Sequence, residues 1–174
     1  MISLFHGTTM EVSEPIVGVG RKKVDFGQGF YLTKLKRQAS LWAETIAERR
    51  MAGTPVLNEY RFDIDLAKEL AGVRYKVFAT YDLEWLEYVI DCRRGGKLQT
   101  QYDVVEGGVA NDKVIDTVED YEKGVITAEQ ALGQLAYKEV NHQIAILSQS
   151  IVDKCLKFKG SVAFATLGGD RNAR

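Results

Sequence analysis

The stretch Asp25-Phe26-Gly27-Gln28-Gly29-Phe30-Tyr31-Leu32-Thr33 constrains the chain more than any other. Two glycines one residue apart let the backbone turn tightly or pass close to a ligand, and the alternation that follows reads as a strand fixing the Tyr31 ring beside that turn. A flat ring next to bare backbone is a place for a flat ligand. The same residues also read as a plain hairpin or bulge with Tyr31 packed in a core, so the rest of the chain has to decide between the two.

A length of 174 residues with 45% hydrophobic and 27% charged content suits one compact α+β domain, expected over residues 1–166 with a polar tail at 167–174. The net charge of −1 offers no broad attraction to nucleic acid or to an anionic membrane. Locally, Arg21-Lys22-Lys23 reads either as a phosphate contact or as a solvated loop. No apolar run approaches the ~18 residues that span a bilayer, and no charged leader precedes Ile2-Ser3-Leu4-Phe5, so a cytoplasmic location away from membranes is expected. Cys92 and Cys155 form no Cys-x-x-Cys pair and read as small core residues, and two histidines in the whole chain argue against a His-rich metal centre.

In chain order, Ile2 to Phe5 reads as a buried strand that delivers His6-Gly7-Thr8-Thr9 to its end. His6 then sits at the mouth of a cleft or merely caps the strand. Residues Lys34 to Met51 carry Ala39, Trp42, Ala43, Ile46 and Ala47 at helical spacing, with Trp42 expected in the core. A strand follows from Val56 to Ile64, then a helical turn from Asp65 to Leu70 and a strand over Arg74–Phe78. Thr80 is expected to cap a helix from Asp82 to about Arg93. Tyr102–Val105 reads as a strand, Glu106-Gly107-Gly108-Val109 as a turn, and Asn111 or Asp112 as a cap for a helix reaching Tyr121. Thr127 to Gln130 has the form of a capping box. In Val140–Leu147, strand alternation puts Asn141 and Gln143 on one side and His142 on the other, after which Ser148 caps Gln149–Leu156 and Lys159–Ala165 is a last strand.

Taken together, His6-Gly7-Thr8-Thr9, Asp25 through Thr33, Gln38-Ala39 with Trp42-Ala43, Asp103-Val104-Val105-Glu106-Gly107 with Val109-Ala110-Asn111-Asp112, and His142-Gln143-Ile144 form a recognisable set. Over roughly residues 1–160 the chain resembles a bacterial family, formerly of unknown function, that is grouped with ADP-ribosyltransferases of the diphtheria-toxin and poly-ADP-ribose-polymerase type. The resemblance implies an ADP-ribosyltransferase-like split β-sandwich core with surrounding helices, binding NAD as co-substrate through a His-Tyr-Glu triad. It places His6 on a ribose hydroxyl, the backbone of Gly7 on the nicotinamide carboxamide and Tyr31 against the nicotinamide ring. Thr8, Gly29 and Asn111 complete the implied NAD contacts, and no metal is implied. Gln143 takes the third triad place where glutamate is usual. A glutamine makes the hydrogen bond to the ribose 2′-hydroxyl but supplies no charge, a loss worth on the order of 3 kcal/mol or a hundredfold in rate. Glu139 in a different register, or Asp112 from a neighbouring loop, are the other carboxylates in view.

Three functions follow as expectations. The first is a mono-ADP-ribosyltransferase acting on a protein or nucleic-acid acceptor, as an intracellular effector or the toxin of a toxin-antitoxin pair with a protein antitoxin. The second is a catalytically silent NAD or ADP-ribose binding module, and the third a structural domain working through a partner.

Overall fold

The computed structural model describes residues 1–51, 53–110, 114–136 and 141–165. Among the described residues seven strands make two sheets. In the first, β1 (Ile2–Thr8), β3 (Val56–Phe62) and β7 (Leu156–Ala163) run antiparallel in the order β1-β3-β7. In the second, β2 (Phe30–Leu32), β6 (Gln143–Ile146), β5 (Val104–Gly107) and β4 (Tyr75–Val77) lie in the order β2-β6-β5-β4, antiparallel except for the parallel pair β4/β5. With its helices the architecture is α+β.

Period-two alternation along the second sheet sorts its residues to two cores. Phe30, Leu32, Val104, Ile144 and Ile146 meet Leu4, Tyr60 and Phe62 of the first sheet, which closes one core between the sheets. Val105 and Ala145 face the other way, toward Trp85, Leu86 and Val89 of α3 (Leu83–Arg94) and Val118 and Leu135 of α4 (Ile115–Glu122) and α5 (Ala128–Leu135). Tyr31 packs against this second core.

Local chemistry explains the helix ends. Asp82, rather than Thr80, caps α3, its carboxylate accepting from Trp85 N at 2.8 Å; the aspartate sits one residue before the first helical turn, where its oxygen reaches an orphan N–H. Asp63 caps α2 (Ile64–Glu69) in the same way. The capping box at Thr127 and Gln130 forms in both directions. Ser148 makes no side-chain cap for α6 (Gln149–Cys155), and β7 starts directly at Leu156, three residues before the expected strand. Glu106 and Gly107, read as a turn, belong to β5. The expected caps Asn111 and Asp112 lie outside the described residues, as do Glu139 and the tail at 167–174.

Helix α1 (Lys36–Arg50) corrects the expectation for Trp42. Its buried stripe is Ala39, Ala43 and Ala47, while Trp42 is 40% exposed, with the guanidinium groups of Arg21 and Arg49 5.9 and 5.7 Å from its ring centre. Small residues win the core side because the helix lies almost in contact with the β1 backbone. A Cβ added to Gly7 would fall 1.9 Å from the Ala39 carbonyl oxygen. No indole fits in that space.

The loop after β1 is held by a fully buried Asn58, whose amide accepts from Val12 N at 2.9 Å and donates to Met10 O at 3.1 Å. The next loop is pinned by Gln149, which accepts from Val17 N and donates to Pro15 O. Gln28 donates to the carbonyls of Gly18 and Gly20 from the far side. Among the described residues no helix is long and apolar enough to cross a membrane.

Candidate functional site

The two sheets touch at β1 and β2 through one bridge, in which Phe5 and Thr33 exchange both main-chain bonds at 2.8 and 2.9 Å. That exchange fixes the direction of every neighbouring peptide. Phe5 faces Glu59 of β3 as a non-hydrogen-bonded pair, and an antiparallel ladder repeats this state every second residue, so Gly7 opposite Leu57 is another. The Gly7 N–H and C=O therefore point away from β3 into the gap on the β2 side. Among the described residues no hydrogen-bond partner takes them up.

By the same alternation the Tyr31 carbonyl points from β2 toward β1, and the His6 imidazole fills the opening: Nδ1–H donates to that oxygen at 2.8 Å. Burial lowers the His6 pKa and the hydrogen bond to Tyr31 only partly restores it. The ring is thus neutral near pH 7, with its proton on Nδ1 and an acceptor lone pair on Nε2. Phe30 lies beside it, ring centres 4.6 Å apart.

The Tyr31 hydroxyl donates to Gly27 O at 2.7 Å and accepts from Phe26 N at 3.0 Å, so the ring is tied to the glycine turn that precedes it. Gly27 has φ +85 and abuts the Gln99 side chain, two reasons for a residue without Cβ. Gly29 backs onto the Ile146 carbonyl at the end of β6, and Thr8 pairs with Val56 at the end of β1. Asn111 lies outside the described residues.

Gln143 opens β6 opposite Gly107, and Tyr31 stands opposite Ala145, so Tyr31 and Gln143 share a face of adjacent strands two residues apart. Gln143 is 7% exposed. The structure thus bonds the His6 ring to the Tyr31 backbone carbonyl, on the Phe30 side of β2, while the Tyr31 ring turns to the other core, with Gln143 on the next strand on the Tyr31 side.

Two features went unread in the sequence. Asp25, 7% exposed, places one carboxylate oxygen 3.2 Å from Arg93 Nε and the other 2.9 Å from Ala110 N. Burial pushes its pKa up, opposed by the Arg93 charge and the Ala110 hydrogen bond. Its place as the one acid of the Asp25–Thr33 stretch was the available signal. The second is Glu106, on the opposite face. It takes hydrogen bonds from His142 Nε2 at 2.9 Å, from Tyr75 at 2.9 Å and from Lys34. The Lys34 N–H donates to His142 Nδ1, which orders the ring, and Gln38 brackets the His142 backbone.

Burial pushes the Glu106 carboxyl up, but the bonds from His142, Lys34 and Tyr75 outweigh it and hold the pKa down to about 2, against an ordinary 4.5. A carboxyl depressed on folding contributes stability that is present above pH 4.5 and is lost as pH falls toward 2. Thermal melts over that window are expected to show a smaller acid-induced fall in Tm for Glu106→Gln than for the wild type. Equal falls would remove Glu106 from the acid response.

A family model described as Protein of unknown function (DUF3990) matches residues 2–158. Neither a curated protein nor a solved structure matches the chain.

Proposed function

The chain belongs to the DUF3990 family, and from the seam between its sheets we propose that it is an NAD-dependent mono-ADP-ribosyltransferase with an ADP-ribosyltransferase-like split β-sandwich fold. The observation that carries the reading is the open main-chain edge of Gly7 beside a neutral His6 that the Tyr31 carbonyl holds in place. A primary carboxamide needs one acceptor and one donor side by side, and the C=O and N–H of one residue supply both. The fit is chemical. Gly7 reads the nicotinamide carboxamide, His6 Nε2 accepts from a ribose hydroxyl, Tyr31 lies along the pyridinium ring, and Gln143 accepts from the 2′-hydroxyl.

In the transfer the bond between nicotinamide N1 and ribose C1′ breaks, and its electron pair leaves with nicotinamide, which departs neutral. A lone pair on the acceptor forms the new bond at C1′, and the acceptor proton passes to solvent or to a base. Positive charge grows on the ribose in between, so acceptor groups held near the 2′-hydroxyl favour the transition state. The acceptor is a protein or a nucleic acid. A role as intracellular effector or as the toxin of a toxin-antitoxin pair, restrained by an antitoxin protein, follows from the resemblance alone.

Labelled NAD added to the protein with cell lysate should release nicotinamide and transfer label. The purified protein should gain several degrees in Tm at saturating NAD, a gain abolished in His6→Ala. No shift and no release would sink the proposal. The uncharged Gln143 favours a second reading, a silent NAD or ADP-ribose binding module, for which the shift is retained and release is absent.

A further inference from the structure

The entry to β6 is held by a side chain from another element. Leu147 N donates to Asp103 O across the β5/β6 ladder, so alternation turns the main-chain groups of Ala145 and Gln143 toward β5 and those of Ile144 and His142 toward β2. Ile144 meets Leu32 there. At His142 the strand can no longer supply the partner, because β2 ends at Leu32 and Thr33 turns to exchange its bonds with Phe5 of the other sheet. The Gln38 amide takes that place: Nε2 donates to His142 O at 2.9 Å, and Oε1 accepts from His142 N at 3.4 Å. One donor and one acceptor face the amide, so a single orientation satisfies both. The same turn of α1 also touches β1. Ala39, the next residue, sets its carbonyl oxygen 1.9 Å from where a Gly7 Cβ would stand. Two consecutive residues of one helix thus tie down β1 at Gly7 and β6 at His142.

We propose that Gln38 is a positioning residue: by completing the β6 ladder with its side chain, it fixes the span between the Gly7 edge and Gln143, the residue after His142. Gln143 pairs with Gly107 on one side, and its neighbour is clamped to α1 on the other, so the strand entry cannot slide past the helix. The His142 ring is held separately, by Glu106 and by the Lys34 N–H, so the clamp acts on the main chain alone. Its expected effect falls on one step. Gly7 and Tyr31 would hold nicotinamide before reaction, whereas the acceptor at position 143 matters most as charge grows on the ribose, so a displaced β6 entry should slow turnover more than it weakens binding. This catalytic half rests on the NAD reading above; the clamp rests on the hydrogen bonds.

The test compares Gln38→Leu and Gln38→Glu with the wild type, at a temperature where all three are folded. Gln38→Leu keeps the bulk and removes both bonds. By NMR its His142 N–H should exchange about tenfold faster, while the Ile144 N–H, turned toward β2, keeps its rate. With NAD as probe, kcat should drop about tenfold or more and KM stay within about threefold. Gln38→Glu keeps the acceptor for His142 N and loses the donor for His142 O. Taking up a proton restores that donor, so its kcat relative to the wild type should rise as pH falls through the titration of the new carboxyl. Unchanged exchange at His142 in Gln38→Leu would overturn the clamp whether or not NAD is turned over. Faster exchange with kcat within about twofold of the wild type, or a loss carried by KM, would overturn the positioning role alone. A wild type that NAD neither stabilises nor reacts with sinks the NAD reading and the catalytic half with it.

Discussion

Gly7→Ala is expected to cost the fold about 3 kcal/mol, at the upper end for overpacking because only backbone stands in the way. The added methyl would fall 1.9 Å from the Ala39 carbonyl oxygen and 2.9 Å from the Ala43 nitrogen, and no rotamer relieves a clash with a peptide group. For a domain of this size that loss lowers Tm by roughly 6–12 °C. Thermal melts followed by circular dichroism measure it directly, and a variant within about 2 °C of the wild type would show that α1 can lift off β1. Any loss of NAD binding should be larger than the loss of stability explains, because raising α1 also displaces the main-chain edge that Gly7 presents.

The second large effect is expected at Tyr31, where two substitutions separate ring from hydroxyl. Tyr31→Ala removes the platform proposed for the pyridinium ring and should reduce kcat/KM for NAD by about 10- to 100-fold, the worth of one base stacked on an aromatic side chain. Tyr31→Phe keeps the ring but leaves Phe26 N and Gly27 O without their partner, costing about 1 kcal/mol of stability while activity stays within about fivefold. Steady-state nicotinamide release distinguishes them. Equal losses in the two variants would assign the effect to the turn and not to stacking.

Periodicity made much of this molecule legible. The alternation over Gln143–Ile146 correctly put Gln143 and His142 on opposite faces, and the box at Thr127 formed as its residues imply. Boundaries failed where a neighbour decided them. β7 begins at Leu156, where β3 pairs with it from Phe62 onward; the alternation of Leu156-Lys157-Phe158-Lys159 carries that strand signal, but it abuts the end of α6 and was hidden by the expected helix. Trp42 failed for a related reason: helical spacing identifies a stripe of candidates, but the approach of the β1 backbone selects alanine over the larger ring. His6 and Tyr31 were readable as strand residues close to glycine, and they lie inside β1 and β2. Asp25 was not, since its partners Arg93 and Ala110 are 68 and 85 residues away in the chain.

The Phe5–Thr33 bridge gives the molecule a mechanical character beyond its chemistry. Two peptide hydrogen bonds fasten one sheet to the other at this point, while each sheet is stiffened by its own ladder. Force applied by anything wedged between the sheets falls on these two bonds, on the His6–Tyr31 bond beside them and on the apolar core the sheets share, so opening the seam and disrupting that core are one event.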